Sequence, residues 1–278
     1  MNLTATSLPP TFLTTLRAKN MSRIELDIQG DIATLCLNNP GKLNAINLAM
    51  WQQLTEKMSE LAVDRAIRCI VLRGAGQDAF AAGGDLEEFV SARSTLTQAL
   101  HYHDQVAAAL QAIADSPQPT IALISGACIG GGLEIAGACD LRIAGESAKF
   151  GAPINKLGFS MYPGEMAGLL KLAGPAVLKE ILLEGRILNA GEAYAKGLLT
   201  RVVTDAQVSD EAYASARRIC AGAPLVAGWH KQWINRLLDG RPLSDEEKVA
   251  SFAFLDTEDY REGLNAFLEK RKPRFKAC

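Results

Sequence analysis

From Arg23 onward apolar and polar residues alternate along Ile24-Glu-Leu-Asp-Ile-Gln29 and again along Ile32-Ala-Thr-Leu-Cys-Leu37, with Gly30-Asp31 between them. A period of two around a tight-turn dipeptide predicts a β-hairpin. Over 47–61 the apolar residues switch to helical spacing, and Asn47 is placed to cap that helix. The run Arg68-Cys-Ile-Val-Leu-Arg73 reads as a short buried strand ending at Gly74. A glycine-rich turn at 80–85 leads into a helical pattern that runs to about Ala114, where Ser116-Pro-Gln-Pro119 stops it. A strand over 120–125 and a helix opening at Ile129-Gly-Gly-Gly-Leu-Glu134 and reaching Cys139 come next. A strand over 140–144 and helical stretches over 169–183 and 191–196 follow. Beyond Val203 the pattern is almost wholly helical, over 210–221, 225–238, 244–256 and 257–270.

Strand and helix units in alternation, followed by a run of helices, predict an α/β core of mixed strands wrapped by helices. The expected organisation is a flexible extension over 1–21, a core over 22–205 and a helical region over 206–278. The helical region is too small to fold well alone, so it is expected to dock on its own core or on a neighbouring subunit.

Composition changes this picture little. The 278 residues are 48% hydrophobic and 22% charged, with net charge -2. That balance gives no basic surface for nucleic acid and no attraction to an anionic membrane. No apolar run approaches the roughly 20 residues of a membrane helix. The six cysteines form no CxxC pair and have no close histidine partner. They predict free thiols in a reducing compartment, taken as the cytoplasm, with no disulfide framework and no zinc site. Residues 1–20 contain no acid and carry Arg17 and Lys19, without the arginine density or apolar core of a targeting peptide. They read as a tail, or as residues ahead of a start at Met21.

Candidate chemistry sits at two glycine-bearing turns, Gly83-Gly84 and Gly130-Gly131-Gly132, each between a strand and a helix. Bare backbone permits close approach of a ligand, and helix starts leave N–H groups unpaired. Two such turns facing each other would form an oxyanion hole for a developing enolate. Glu134 follows in the first turn of the second helix among Leu133, Ile135 and Ala136. Its apolar setting is expected to raise its pKa against the downward pull of the helix dipole. An acid in that place can move a proton at the carbon α to a carbonyl.

Other readings fail on detail. The glycines lack GxGxxG spacing, no Lys-Ser/Thr follows as in a P-loop, and Leu123 stands where GxSxG would need glycine. His101 and His103, two apart on a predicted helix, point in different directions and are read as surface residues.

Asn39-Pro-Gly-Lys-Leu-Asn-Ala45, Phe80-Ala-Ala-Gly-Gly-Asp-Leu86, the run from Ser125 to Ala136, Cys139-Asp-Leu-Arg-Ile-Ala144 and Phe150-Gly-Ala-Pro153 occur in order. Together with the terminal run from Glu262 to Phe275 they resemble the crotonase (enoyl-CoA hydratase/isomerase) superfamily over about residues 22–275. The resemblance implies a ββα spiral core, a C-terminal helical oligomerisation region and a homotrimer or a hexamer of two trimers. It also implies an acyl-CoA substrate, with coenzyme A present only as part of the thioester and no other cofactor or metal. By the same resemblance the oxyanion donors fall on Gly84 and Gly131, the first catalytic glutamate on Glu134, and substrate contacts near Lys42, Ala45, Ala82, Asp85 and Tyr162.

One departure stands out. Hydratases of the family carry a second glutamate directly after the Phe-Gly-x-Pro motif, and here that residue is Ile154. Loss of a positioned acid/base costs typically about 10²–10⁴-fold. Efficient hydration then requires another group, for which Asn155, Ser160, Tyr162 and Glu165 are candidates. Glu165 reads equally as the second acid/base or as a helix-start acid. Phe89, Met161 and Tyr162 are expected to line an apolar pocket. Without a second acid, the fold would suit a single-glutamate isomerase, decarboxylase or lyase, or a thioester hydrolase, or a non-catalytic acyl-CoA-binding protein.

Overall fold

A computed structural model describes residues 22–277, so the expected extension over 1–21 lies outside the described residues. The hairpin forms as read. β1 (Arg23–Gln29) and β2 (Ile32–Asn38) pair antiparallel, with Gln29 opposite Ile32 across a turn in which Gly30 takes φ 62°. β2 then pairs in parallel with β3 (Cys69–Gly74), followed across the sheet by β5 (Thr120–Ile124), β7 (Leu141–Gly145) and β10 (Arg201–Val203). A second sheet consists of β4 (Ala79–Ala81), β6 (Ala127–Ile129), β8 (Lys149–Gly151) and β9 (Ile187–Asn189), parallel except at its last pair. The strand pairs β3/β4, β5/β6 and β7/β8 each give one strand to each sheet. That repetition is the expected ββα spiral. Its three-residue strands are too short to show any period in the sequence.

Residues of β3 point alternately to opposite faces. Ile70 and Leu72 join the main core with Leu35, Leu37, Trp51 and Phe80, whereas Cys69 and Val71 join a second cluster. Burial on both faces explains why the central strands read as near-continuous apolar runs. The second face is covered by Val208, Ala212 and Ala216 of the helix Val208–Cys220. This helix lies past the expected boundary at 205, yet it packs on the sheet. Beyond it, the helix Pro224–Leu237 has no buried residue, and Leu237, Leu238, Phe252, Phe267 and Leu268 stand exposed.

Four helices position the site: α1 (Leu48–Ala62), α2 (Leu86–Ala92), α3 (Leu96–Ala114) and α4 (Gly131–Ala138). Asn47 caps α1 by accepting from the Met50 N–H at 2.9 Å, as expected. The helical pattern to Ala114 is two helices, not one. Thr95 and Gln98 form a capping box that starts a new helix after a break at 93–95. A fifth helix, α5 (Pro163–Lys179), begins six residues before the expected start at 169, because Pro163 at its first position is pre-set for helical φ. Gly174, at φ 76° and ψ 169°, kinks it before Pro175. The helix expected over 244–256 shortens to Asp245–Ala250 plus a 3-10 turn.

Candidate active site

The segment after β2 runs alongside the turn that follows β4. Ala82 N–H donates to Leu43 O at 3.0 Å, Ile46 N–H to Gly83 O at 2.8 Å, and Asp85 N–H to Ile46 O at 2.9 Å. Gly84 is skipped by this ladder, and among the described residues its N–H has no acceptor. Asp85 fixes the turn from two sides: it accepts from the Glu87 N–H at the start of α2 and pairs with Lys42 Nζ at 2.7 Å. Lys42, Ala45 and Asp85 therefore back the glycine turn, while Ala82 and Gly84 face a cavity of about 220 Å³.

The second turn joins β6 to α4. Gly130 takes φ 50°, open to glycine at little cost, and its N–H is spent on Gly151 O at 2.9 Å. Gly131 is the first helical residue, so its N–H has no partner within the helix and none among the other described residues. The turns touch: a Cβ on Gly83 would stand 3.9 Å from Gly131 N, and one on Gly130 3.5 Å from Gly83 Cα. Two unspent N–H groups on adjoining turns border one cavity, which is the arrangement an oxyanion requires.

Glu134 lies one turn further along α4, 8% exposed, with its carboxyl in the cavity and no hydrogen-bond partner among the described residues. Burial, and after it the charge of Glu165, hold the carboxyl well above the usual carboxylate range, against a smaller pull from Arg93. The far end of α4 is clamped by the buried Arg142, whose guanidinium donates to Ala136 O at 3.3 Å, to Cys139 O, and to Leu198 O at 3.0 Å.

Glu165 enters the same cavity from the first turn of α5, only 7% exposed. Its Oε1 is hydrogen-bonded to His103 Nδ1. This corrects the reading of His103 as a surface residue. Tyr102, Val106, Ala109 and Ile113 form the buried stripe of α3, and His103 flanks that stripe, whereas His101 lies on the exposed side. A helical projection carries that signal, and spacing between the two histidines alone does not. Tyr162 is a second correction. It lies at the cap of α5, 36% exposed and outside the cavity lining, with its ring stacked on His103 at 5.0 Å between centroids. Phe89, Ile154, Ser160 and Met161 line the cavity, and Asn155 turns away to donate to Leu183 O at 2.9 Å.

Trp51, Arg93 and Tyr102, which had no role in the sequence reading, also line the cavity. Their helical spacing marks Trp51 and Tyr102 as core residues, and nothing local shows that they face a cavity. Among the described residues no group of three or more His, Cys, Asp or Glu comes together as metal ligands, and no helix is long and apolar enough to cross a membrane.

Residues 27–277 match the family model described as enoyl-CoA hydratase/isomerase. The chain belongs to that family. It is 35% identical to a probable enoyl-CoA hydratase of Rhizobium meliloti, covering 90% of this chain and 96% of that one. It is 30% identical to a short-chain-enoyl-CoA hydratase of Clostridium acetobutylicum, over 91% and 97% of the two chains. Among solved structures, an enoyl-CoA hydratase/carnithine racemase from Magnetospirillum magneticum superposes with a TM-score of 0.91 at 49% identity, covering 93% and 97%. The fold is accordingly crotonase-like, and the chain is an acyl-CoA enzyme of the enoyl-CoA hydratase/isomerase family.

Proposed function

We propose that this family member hydrates 2-enoyl-CoA thioesters, with Glu134 and Glu165 serving one water. The supporting observation is that both carboxyls enter the cavity bordered by the Gly84 and Gly131 N–H groups, although Ile154 occupies the family's second acid position. The thioester oxygen accepts hydrogen bonds from those two N–H groups and takes up charge as the enolate develops. Two like carboxyls in one low-dielectric cavity resist joint ionisation, so one keeps its proton. Glu134, whose pKa burial holds well above the usual carboxylate range, is the protonated member. Glu165, oriented by His103, takes a proton from water as the water oxygen bonds to C3. The C2=C3 electron pair moves to the thioester oxygen, and Glu134 gives its proton to C2. One H and one OH are added in all, and proton exchange between the carboxyls through solvent resets the site. The thioester carbonyl is the electron sink, so neither a metal nor a further cofactor enters the reaction.

In this reading Lys42, Ala45, Ala82 and Asp85, in and behind the glycine turn, contact the coenzyme A moiety. The exposed apolar residues of the C-terminal helices are the self-association surface of a homotrimer or hexamer. Free thiols at Cys36, Cys69, Cys128, Cys139 and Cys220 suit the reducing cytoplasm.

The test is incubation with but-2-enoyl-CoA in D₂O, followed by mass spectrometry of the thioester, with Glu134→Gln and Glu165→Gln alongside. A gain of one water in the parent, lost in both variants, is the expected result. Deuterium at C2 without added water would replace hydration by isomerase-type or related enolate chemistry on Glu134 alone, the reading that Ile154 favours. No labelling and no water gain would leave an acyl-CoA-binding protein.

A further inference from the structure

The cavity is apolar along most of its wall, yet the cationic side chain of Arg93 stands in that wall. Trp51 Nε1 and Tyr102 Oη are buried and have no hydrogen-bond partner among the described residues. Both atoms are sealed from solvent, and the indole N–H lies beside Tyr102 Oη, where it favours the ionised phenol. Burial dominates and keeps the phenol protonated. Arg93 follows the last turn of α2, with its guanidinium 4.2 Å from the Phe89 ring centroid and 4.9 Å from that of Phe159. It forms no ion pair among the described residues. Rings on two sides cover the faces of the guanidinium and leave its N–H edges to whatever enters the cavity.

A plain hydrocarbon acyl chain fits this wall badly. It would desolvate a guanidinium while offering no acceptor. The acids in the cavity do not fill the gap: Glu165 is bonded to His103, and Arg93 acts on Glu134 only as a charge at a distance. An acyl group that ends in its own carboxylate supplies the missing acceptor. The guanidinium can take it by two parallel N–H···O bonds.

We propose that the acyl group carries a second, terminal carboxylate, seated on Arg93, so that the substrate class is the mono-CoA thioesters of short dicarboxylic acids. This deepens the proposed function, because it assumes that the acyl chain occupies the cavity bordered by Gly84 and Gly131.

Binding of saturated thioesters, which cannot be hydrated, separates the two readings. Butanoyl-CoA and 4-carboxybutanoyl-CoA differ only by the terminal carboxylate, and calorimetric titration of each gives a ratio of dissociation constants in which the coenzyme A contribution cancels. The parent enzyme is expected to bind the carboxylated thioester about tenfold or more tightly, the range of one desolvated charge-assisted contact. In Arg93→Met the ratio should fall to one or below, and in Arg93→Lys it should lie between, since lysine keeps the charge and loses the fork. A parent ratio at or below one overturns the proposal without recourse to any variant. So does an unchanged ratio in Arg93→Met. Failure of the D₂O experiment with a retained binding ratio would remove the hydratase reading and leave the carboxylate seat standing.

Discussion

Substitution of Gly132 by alanine tests whether the alignment of α4 with the glycine turn sets the rate. A Cβ at this position would stand 2.4 Å from Ala81 O and 3.0 Å from Ala81 Cβ, both on β4. Ordinary contact begins at about 3.5 Å, so the helix must move off the strand by about 1 Å. Gly131 N–H and Glu134 would travel with α4. Gly84 would not, because Leu43, Ile46 and the Lys42–Asp85 pair hold its turn independently. A misplacement of about 1 Å costs on the order of 10²-fold in rate. Overpacking of about 1–3 kcal/mol lowers the melting temperature by roughly 2 to 10 °C for a chain of this size. Steady-state kcat/KM on but-2-enoyl-CoA reads the first effect and a thermal melt the second. Gly168→Ala is the control: it is helical, exposed and meets nothing within 4 Å, so it should leave kcat/KM unchanged. If folded Gly132→Ala keeps kcat/KM within threefold of the parent, the alignment argument is wrong.

Replacing Glu165 by glutamine should lower hydration by about 10²–10⁴-fold while sparing α-proton exchange more. It also removes a negative neighbour of Glu134, whose pKa falls, so the alkaline limb of the residual exchange should move to lower pH; an unmoved limb would uncouple the pair. Glu134→Gln should be neutral or stabilising. The folded pKa of Glu134 is raised above its unfolded value, so its contribution to stability is present below the unfolded pKa and is lost as pH rises through the folded one. The melting-temperature advantage of the variant should therefore grow with pH above the ordinary carboxylate range, and a constant difference would contradict the burial argument. Arg142→Leu leaves the carbonyls of Ala136, Cys139 and Leu198 without their donor. It should cost about 2–4 kcal/mol in urea unfolding, against almost nothing for a solvated arginine.

Much of this protein was written locally. The β1–β2 hairpin, the Asn47 cap, the central apolar strands and the glycine turns are each specified by neighbours within a few residues, where period and turn chemistry act. Glu134 belongs with them, since its place on α4 and its apolar surroundings both follow from the run around it. The start of α5 was less visible, because Pro163 looks like a turn residue until it is recognised as a first helical position.

What the chain alone left open is which faces meet. Glu165 lies 31 positions beyond Glu134, and it reaches the same cavity because α5 packs closely on α4, where a Cβ on Gly137 would stand 2.7 Å from Leu169. His103 joins them from α3, 62 residues before Glu165. Periodicity fixes the buried face of each helix, but the partner of that face is chosen by long-range packing, in which shape and volume decide and sequence distance does not. The same holds for Arg93, Tyr102 and Trp51. The burial of Tyr102 and Trp51 follows from helical spacing, whereas the placing of all three around one cavity is a property of the assembled fold alone.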